Sequence, residues 1–302
     1  VAPRPIALVS TLDIDGNRNL APLSFFNAFS ANPPVVGFSA SRRLRDSSVK
    51  DTYNNLLATK ECVVQAVTFE MAHQVNLASG DFPPAVNEFE KSALTPVASE
   101  VVRPPRVEES PFQMECRLTQ MVTLGEGGAS GNLALCEVVR FHIGEDILED
   151  GIVQPDRIEL VARMGGEFYC RASGAAVFAI PRPPLKGPIG IDNLPDHIRN
   201  SKTLSAANLG RLGTSASIPT IQEARRYVEA LAPARQAGEE NLQQLLAESD
   251  YKRALAVARE LERANHPGAR EFYELCAKCA LDKAGDSDAA WSALLYAQRD
   301  ES

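Results

Sequence analysis

Three short stretches near the start of the chain supply, between them, small hydroxyls and two cations. They are Ala21-Pro-Leu-Ser24-Phe25-Phe-Asn27, then Ser39-Ala-Ser41-Arg42, then Lys50-Asp51-Thr52. Hydroxyls, backbone amides freed at strand and helix ends, and two cationic side chains can together hold a phosphate monoester without a glycine loop. Each part is common by itself. Ser and Thr at turns cap the local backbone, and Arg42 and Lys50 read equally as solvated surface charges.

Other motifs fail on their own terms. Gly125-Glu-Gly-Gly-Ala-Ser-Gly131 has no Gly-Lys-Ser/Thr ending and misses the last glycine of G-x-G-x-x-G. It lies between two strand-like runs, so a hairpin loop is expected there instead of a dinucleotide cradle. His73, His142, His197 and His266 are far apart, with no H-E-x-x-H helix and no G-x-S-x-G elbow, which disfavours a metallohydrolase or serine hydrolase. Cys276-Ala-Lys-Cys279 lies in a helical pattern without a second ligand pair, so it reads as helix packing and no metal is expected. Cys62, Cys116, Cys136 and Cys170 sit singly in apolar, strand-like runs and read as buried reduced thiols.

The elements that must position these residues fall into two textures. Runs at 6–13, 35–40, 61–68, 113–124, 132–143 and 167–172 alternate or are β-branched, which predicts strands. Asp15-Gly16 predicts a hairpin that folds the first strand onto its neighbour. The clearest early helix spans about 48–59, and no steady strand-helix alternation appears, so an antiparallel barrel, closed or nearly so, fits best. Pro181-Arg-Pro-Pro184 through Pro188 cannot supply helix or central-strand hydrogen bonds and marks the boundary. Domains are therefore expected at 1–180, with a proline-rich linker and extended segment at 181–219 and helices over 220–302. Thr220-Ile-Gln-Glu223 is a capping box opening a helix to about 231, and further helices are expected at 239–264, 267–283 and 287–298.

With 302 residues the chain has ample core for one large domain or two ordinary ones. Hydrophobic residues at 44% and charged residues at 23% exclude a disordered or low-complexity chain. A formal charge of −8 and the lack of a basic patch argue against nucleic acid as a partner. No run approaches eighteen apolar residues and no leader pattern is visible, so no membrane partner is expected and a cytoplasmic setting is read. The first residue is Val1, and what precedes it lies outside this reading.

An ordered succession of motifs then resembles the flavin reductase-like, FMN-binding split-barrel family over roughly residues 1–175. It comprises Arg4-Pro-Ile-Ala-Leu-Val-Ser-Thr11, Asp13-x-Asp-Gly-x-x-Asn-Leu-Ala-Pro-x-Ser-Phe-Phe-Asn27, Pro33-Pro34 and Lys50-Asp-Thr-x-x-Asn55. It continues with Asn87-Glu-Phe-Glu90, Glu109-Ser-Pro111, Glu115-Cys116 and Arg163-x-Gly-Gly-x-x-Tyr169. The resemblance implies a mainly β fold, a six-stranded antiparallel Greek-key split barrel, here followed by a C-terminal α-helical extension. It also implies a homodimer with FMN, in preference to FAD, near the subunit interface.

Carried over position by position, Ser24 and Phe25 would face the flavin with Thr11 nearby. Ser39, Ser41 and Arg42 match a second binding segment, and Lys50, Asp51 and Thr52 match the phosphate grip. Asn27 either contacts the ring or pins the turn. Arg163 to Tyr169 is either an element beside the cofactor or a tight hairpin. His142 either lies by the nicotinamide as the catalytic candidate or is a hydrogen-bonded histidine at a strand end. The activity implied is an NAD(P)H-dependent flavin reductase, with NADH or NADPH as co-substrate and a free flavin, ferric chelate or oxygenase partner as acceptor. Hydride transfer needs no protein acid or base, so the absence of a triad is no obstacle. The alternative is a non-catalytic flavin-binding or partner-docking module whose helical tail covers the flavin.

Overall fold

A computed structural model describes residues 1–83, 86–234 and 236–297. It divides into two compact units, Val1–Ala179 and the part from Ile180 onward.

The N-terminal unit opens with β1 (Arg4–Pro5), β2 (Ala7–Leu12), β3 (Arg18–Leu23), β4 (Phe26–Ala31) and β5 (Pro34–Ser39). Then come α1 (Asp51–Thr59), β6 (Glu61–Gln65), α2 (Ala72–Ala78), α3 (Glu88–Ser92) and a ribbon of β7 (Pro96–Val97) with β8 (Arg106–Val107). The long strands β9 (Phe112–Thr123) and β10 (Asn132–Ile143), the ribbon of β11 (Leu148–Glu149) with β12 (Ile152–Val153), α4 (Pro155–Ile158), β13 (Leu160–Gly165) and β14 (Phe168–Ala172) complete it. A seven-stranded antiparallel sheet runs β3-β2-β6-β9-β10-β5-β4, and a three-stranded sheet runs β1-β13-β14. Strands β4 and β13 were not foreseen. β4 is an edge strand, mostly exposed, and lacks the alternation that marks a half-buried strand.

The β2–β3 hairpin forms where expected. The Asp13 carboxylate accepts from the Asp15 amide at 2.9 Å and the Asn17 amide at 2.8 Å, and Gly16 takes φ +88°. Alternation on β2 then feeds two cores. Ala7 and Val9 join Phe38, Val64, Cys62, Cys116 and Cys136, whereas Ile6 and Leu8 join Leu20, Val75, Phe89 and Val161. Helix α1 ends at Lys60, which adopts φ +62° and donates its amide to Leu56. Cys62, Cys116 and Cys136 are buried, as expected, but Cys170 is half-buried because β14 belongs to the smaller sheet.

In the second unit, α5 (Asp196–Arg199) and α6 (Ala206–Gly213) precede α7 (Ile221–Glu229), α8 (Glu239–Ala247), α9 (Tyr251–Arg263), α10 (Ala269–Cys279) and α11 (Ser287–Tyr296). The expectation of a linker over 181–219 is corrected. Leu194, Ile198, Leu204 and Leu212 are buried in the helical core, and a Ser205–Asn208 capping box starts α6. The Thr220–Glu223 box opens α7 as expected. A single helix over 239–264 is also corrected: Ser249 takes φ +65° and the Asp250 side chain caps α9, so the run breaks in two. A π-helical turn, Ala280–Ala284, extends α10. The last residue of the helix expected at 287–298 lies outside the described residues.

Candidate functional site

The site is assembled where β3, the loop after β5 and the start of α1 meet. Asn19 on β3 donates from Nδ2 to Thr11 Oγ1 at 3.0 Å and to Thr52 Oγ1 at 3.1 Å, and Asn55 Nδ2 donates to the same Thr11 oxygen at 3.0 Å. All four residues are buried, so the network fixes α1 against the sheet. Thr11, expected near the flavin, is therefore a buried support under α1 and does not line the cavity.

Lys50 is the N-cap of α1, with extended backbone and no side-chain cap; the Tyr53 amide donates to the Lys50 carbonyl, and the Asp51 and Thr52 amides keep their donors. Lys50, Asp51 and Thr52, with Ser41, Arg42 and Phe25, line one cavity of about 550 Å³. The Lys50 ammonium makes no hydrogen bond or ion pair among the described residues, and burial, aided by Arg43, pushes its pKa down. Arg42 donates from Nη1 to the Ser47 carbonyl at 2.9 Å, while its Nε is buried without a partner. Ser39 Oγ is buried and unpartnered as well. Unsatisfied buried donors are costly, so Arg42 Nε, on a residue that lines this cavity, is a donor open to an incoming acceptor.

The remaining expected residues separate. Ser39 and Asn27 line a neighbouring cavity of about 440 Å³ that shares Phe25, Ser41 and Ala129 with the first. Asn27 is exposed, and its Oδ1 accepts from the Ala28 amide at 2.9 Å, so it braces its own strand. Ser24 lines a third space of about 70 Å³ with Arg163 and Tyr169, and its Oγ accepts from Arg4 Nε at 3.3 Å.

His142 is not brought to the 550 Å³ cavity within this chain. Its Nε2 is 2.6 Å from Oε1 of Glu115, which is fully buried and also accepts from the amides of Glu100, Val101 and Val102. The cavity beside His142, about 410 Å³, shares no lining residue with the first. Within this chain His142 stands near the end of β10, with its ring nitrogen against Glu115 on the adjacent strand β9.

Some site residues escaped the sequence reading. Arg43 donates to Asp81 at 2.8 Å and to the Val49 carbonyl at 2.6 Å, and the Asp81 hydrogen bond raises its pKa. Glu88 accepts from the Leu20 amide at 3.0 Å, and burial raises its carboxyl pKa. Arg43 was legible only as part of the basic run Arg42-Arg43-Leu44-Arg45, and Glu88 as part of Asn87-Glu-Phe-Glu90. Neither pattern says which wall of a cavity it will form.

The glycine run is a structural partner of the site. Loop 125–131 joins β9 to β10; the Arg42 amide donates to the Ser130 carbonyl at 2.9 Å, and the Ala129 amide donates to the Arg42 carbonyl at 3.2 Å. A Cβ at Gly128 would meet the Leu44 carbonyl oxygen at 2.7 Å, so glycine there allows the loop to lie against the Arg42 segment.

Comparison with known proteins agrees with this architecture. Residues 2–159 match the family model of the flavin reductase-like domain. An uncharacterized protein of Aquifex aeolicus is 38% identical over 175 residues, covering 58% of this chain and 87% of that one. Nitrilotriacetate monooxygenase component B from Bacillus cereus superposes with TM-score 0.56 and 32% identity, over 60% of this chain and 88% of that chain. The 2-nitrobenzoate 2-nitroreductase of Pseudomonas fluorescens follows at 0.53 and 27%, over 60% and 86%. A split barrel domain protein from Shewanella frigidimarina, 24% identical with TM-score 0.52 over 59% and 86%, shares the fold.

Proposed function

Because this chain belongs to the flavin reductase-like family, we propose that it is an FMN-dependent oxidoreductase that accepts hydride from NADH or NADPH and passes electrons to a second acceptor. The observation that carries the proposal is the unpaired, half-buried Lys50 ammonium beside the uncapped start of α1 and the orphaned Arg42 Nε. Those groups fit a phosphate dianion: an ammonium, a guanidinium N–H and first-turn amides all favour negative charge in one place. Asp51 and Asp81 stand nearby, and Arg43 reaches both, at 3.6 Å and 2.8 Å, so it offsets their repulsion of an anion. Along β3 the cavity continues to Pro22 and Phe25, whose ring is 59% exposed and offers an apolar surface for a flat heterocycle. When bound, FMN would supply the hydride chemistry; the chain's part is to anchor the phosphate, orient the ring and keep one face open.

The proposal extends to a homodimer. Edge strand β4 exposes Phe29 (61%) beside the 440 Å³ cavity, a surface suited to a second copy. Sedimentation would read the mass directly. Six free cysteines suit a reducing compartment, and among the described residues no helix is long and apolar enough to cross a membrane.

The test is the visible spectrum of the purified chain with FMN, recorded anaerobically before and after NADH or NADPH. A bound flavin spectrum that bleaches is expected. A bound flavin that stays oxidised with both nucleotides would favour a non-catalytic flavin module, and no flavin binding at all would remove the proposal.

A further inference from the structure

Arg4 on β1 is directly opposite Arg163 on β13, and Arg163 is directly opposite Tyr169 on β14. Directly opposed residues point to the same face, so two guanidiniums and a phenol form one row across the small sheet. Like charges in that position repel, and among the described residues no carboxylate lies against either of them. Arg4 donates only to Ser24 Oγ and the Val1 carbonyl, and Arg163 only to the Tyr169 hydroxyl and the Gly166 carbonyl. Arg43, Arg45, Arg103, Arg140, Arg157 and Arg171 of the same unit each reach a carboxylate, and Arg4 and Arg163, like Arg18, Arg42, Arg106 and Arg117, do not among the described residues. Both guanidiniums are instead held over aromatic rings, Arg4 at 5.3 Å from the Phe25 centroid and Arg163 at 4.8 Å from that of Tyr169.

The row adjoins the proposed flavin cavity. The small space lined by Ser24, Arg163 and Tyr169 shares Pro22 and Ser79 with the 550 Å³ cavity. On β3, Asn19 is bonded to Thr52 at the phosphate end, and Pro22 is three residues further, roughly 10 Å along an extended strand. The arginine row therefore flanks the end of the cavity away from α1, where the reacting part of a flavin would lie.

We propose that Arg4 and Arg163 form an oxyanion site for the molecule that reacts with the flavin, binding its phosphate or carboxylate group. The Tyr169 hydroxyl, an acceptor from Arg163 at 2.5 Å, keeps its own proton to donate to the same group. Arg4 and Arg163 are cross-strand partners on one face of the sheet, and a planar guanidinium from each can donate to a different oxygen of such an anion. The inference rests on the flavin reading for its substrate, but the site itself is defined by the arginines.

The test begins with calorimetric titration of the full chain by inorganic pyrophosphate and by citrate. It is run with saturating FMN, and also without flavin in a Lys50→Ala background, so that a failure of the flavin reading leaves this readout intact. Saturable binding is expected for at least one anion, with Arg4→Gln and Arg163→Gln each weakening it by roughly tenfold or more, as for loss of a charge-assisted pair. Arg163→Lys should recover part of the loss. FMN affinity should be unchanged in the two Arg163 variants.

Steady-state kinetics then separate the two sources. A raised KM for NADH or NADPH with a neutral quinone as acceptor identifies the dinucleotide phosphates. A raised KM confined to ferric citrate identifies acceptor carboxylates. Since each substitution relieves a like-charge pair, the melting temperature should hold or rise. Unchanged anion affinity in Arg4→Gln and Arg163→Gln, or no anion binding by the unsubstituted chain, overturns the proposal, and a fall in melting temperature with unchanged affinity assigns the row a packing role instead.

Discussion

At the scale of single residues, burial decides what each charge can do. Lys50 is held at a helix start where its ammonium is partly desolvated and unpaired, so an arriving phosphate gains a strong partner that water no longer satisfies. Lys50→Ala is expected to weaken FMN binding by about 1–3 kcal/mol, read as the dissociation constant from flavin fluorescence. The flavin-free melting temperature should not fall, because a half-buried, unpaired cation is removed. FMN affinity should also decline as the pH drops below about 6, where the phosphate takes up a proton. Glu88 shows the opposite sign of linkage. Burial raises its folded-state pKa, so its contribution is complete below the ordinary value of 4.5 and is lost as the pH rises through the folded value. Glu88→Gln retains an oxygen for the Leu20 amide, and thermal melts should find it more stable than the unsubstituted chain at pH 7, with the advantage gone at pH 4. A variant less stable at pH 7 would contradict this assignment.

At the scale of elements, the site depends on loops strapped to one another across the barrel. Asn132 Nδ2 donates to the Ala40 carbonyl at 3.0 Å, and the Arg42 amide donates to the Ser130 carbonyl at 2.9 Å, so the start of β10 holds the segment after β5. Gly128 lies against Leu44 with no room for a Cβ. Gly128→Ala should therefore push the Arg42–Arg45 segment outward and weaken FMN binding severalfold, with a stability change within about 1 kcal/mol because both loops are at the surface. Crystallography or amide exchange of residues 41–48 would register the shift, and unchanged affinity would show that the strap does not set the site.

At the scale of the whole chain, two units carry separate cores. One is built around Phe38, Val64 and Cys116, the other around Trp291, Tyr273 and Leu255. Units with their own cores unfold as their own cooperative steps, so calorimetry should resolve two transitions, of which FMN raises only one. The residues expected to grip FMN all precede Ala179, and a chain ending there should bind it with unchanged affinity. A single transition that FMN shifts as a whole would instead mean that the helices and the barrel stabilise one another.

Local chemistry was legible before any coordinates. The Asp15-Gly16 turn, the long pair β9 and β10 and the Thr220 capping box all depend on contacts within a few residues or on side-chain period, which the order of amino acids itself dictates. What the tertiary structure alone decided are meetings across long stretches of chain. Thr11, expected near the flavin, was set as a buried support under α1, and His142 was drawn to Glu115. Residues 194–212 were recruited from a supposed linker into a helical core, and Arg4 was set opposite Arg163, more than a hundred and fifty positions away. Strand register and core packing select those neighbours, and both are properties of the whole assembled sheet or bundle, with no local residue pattern to announce them.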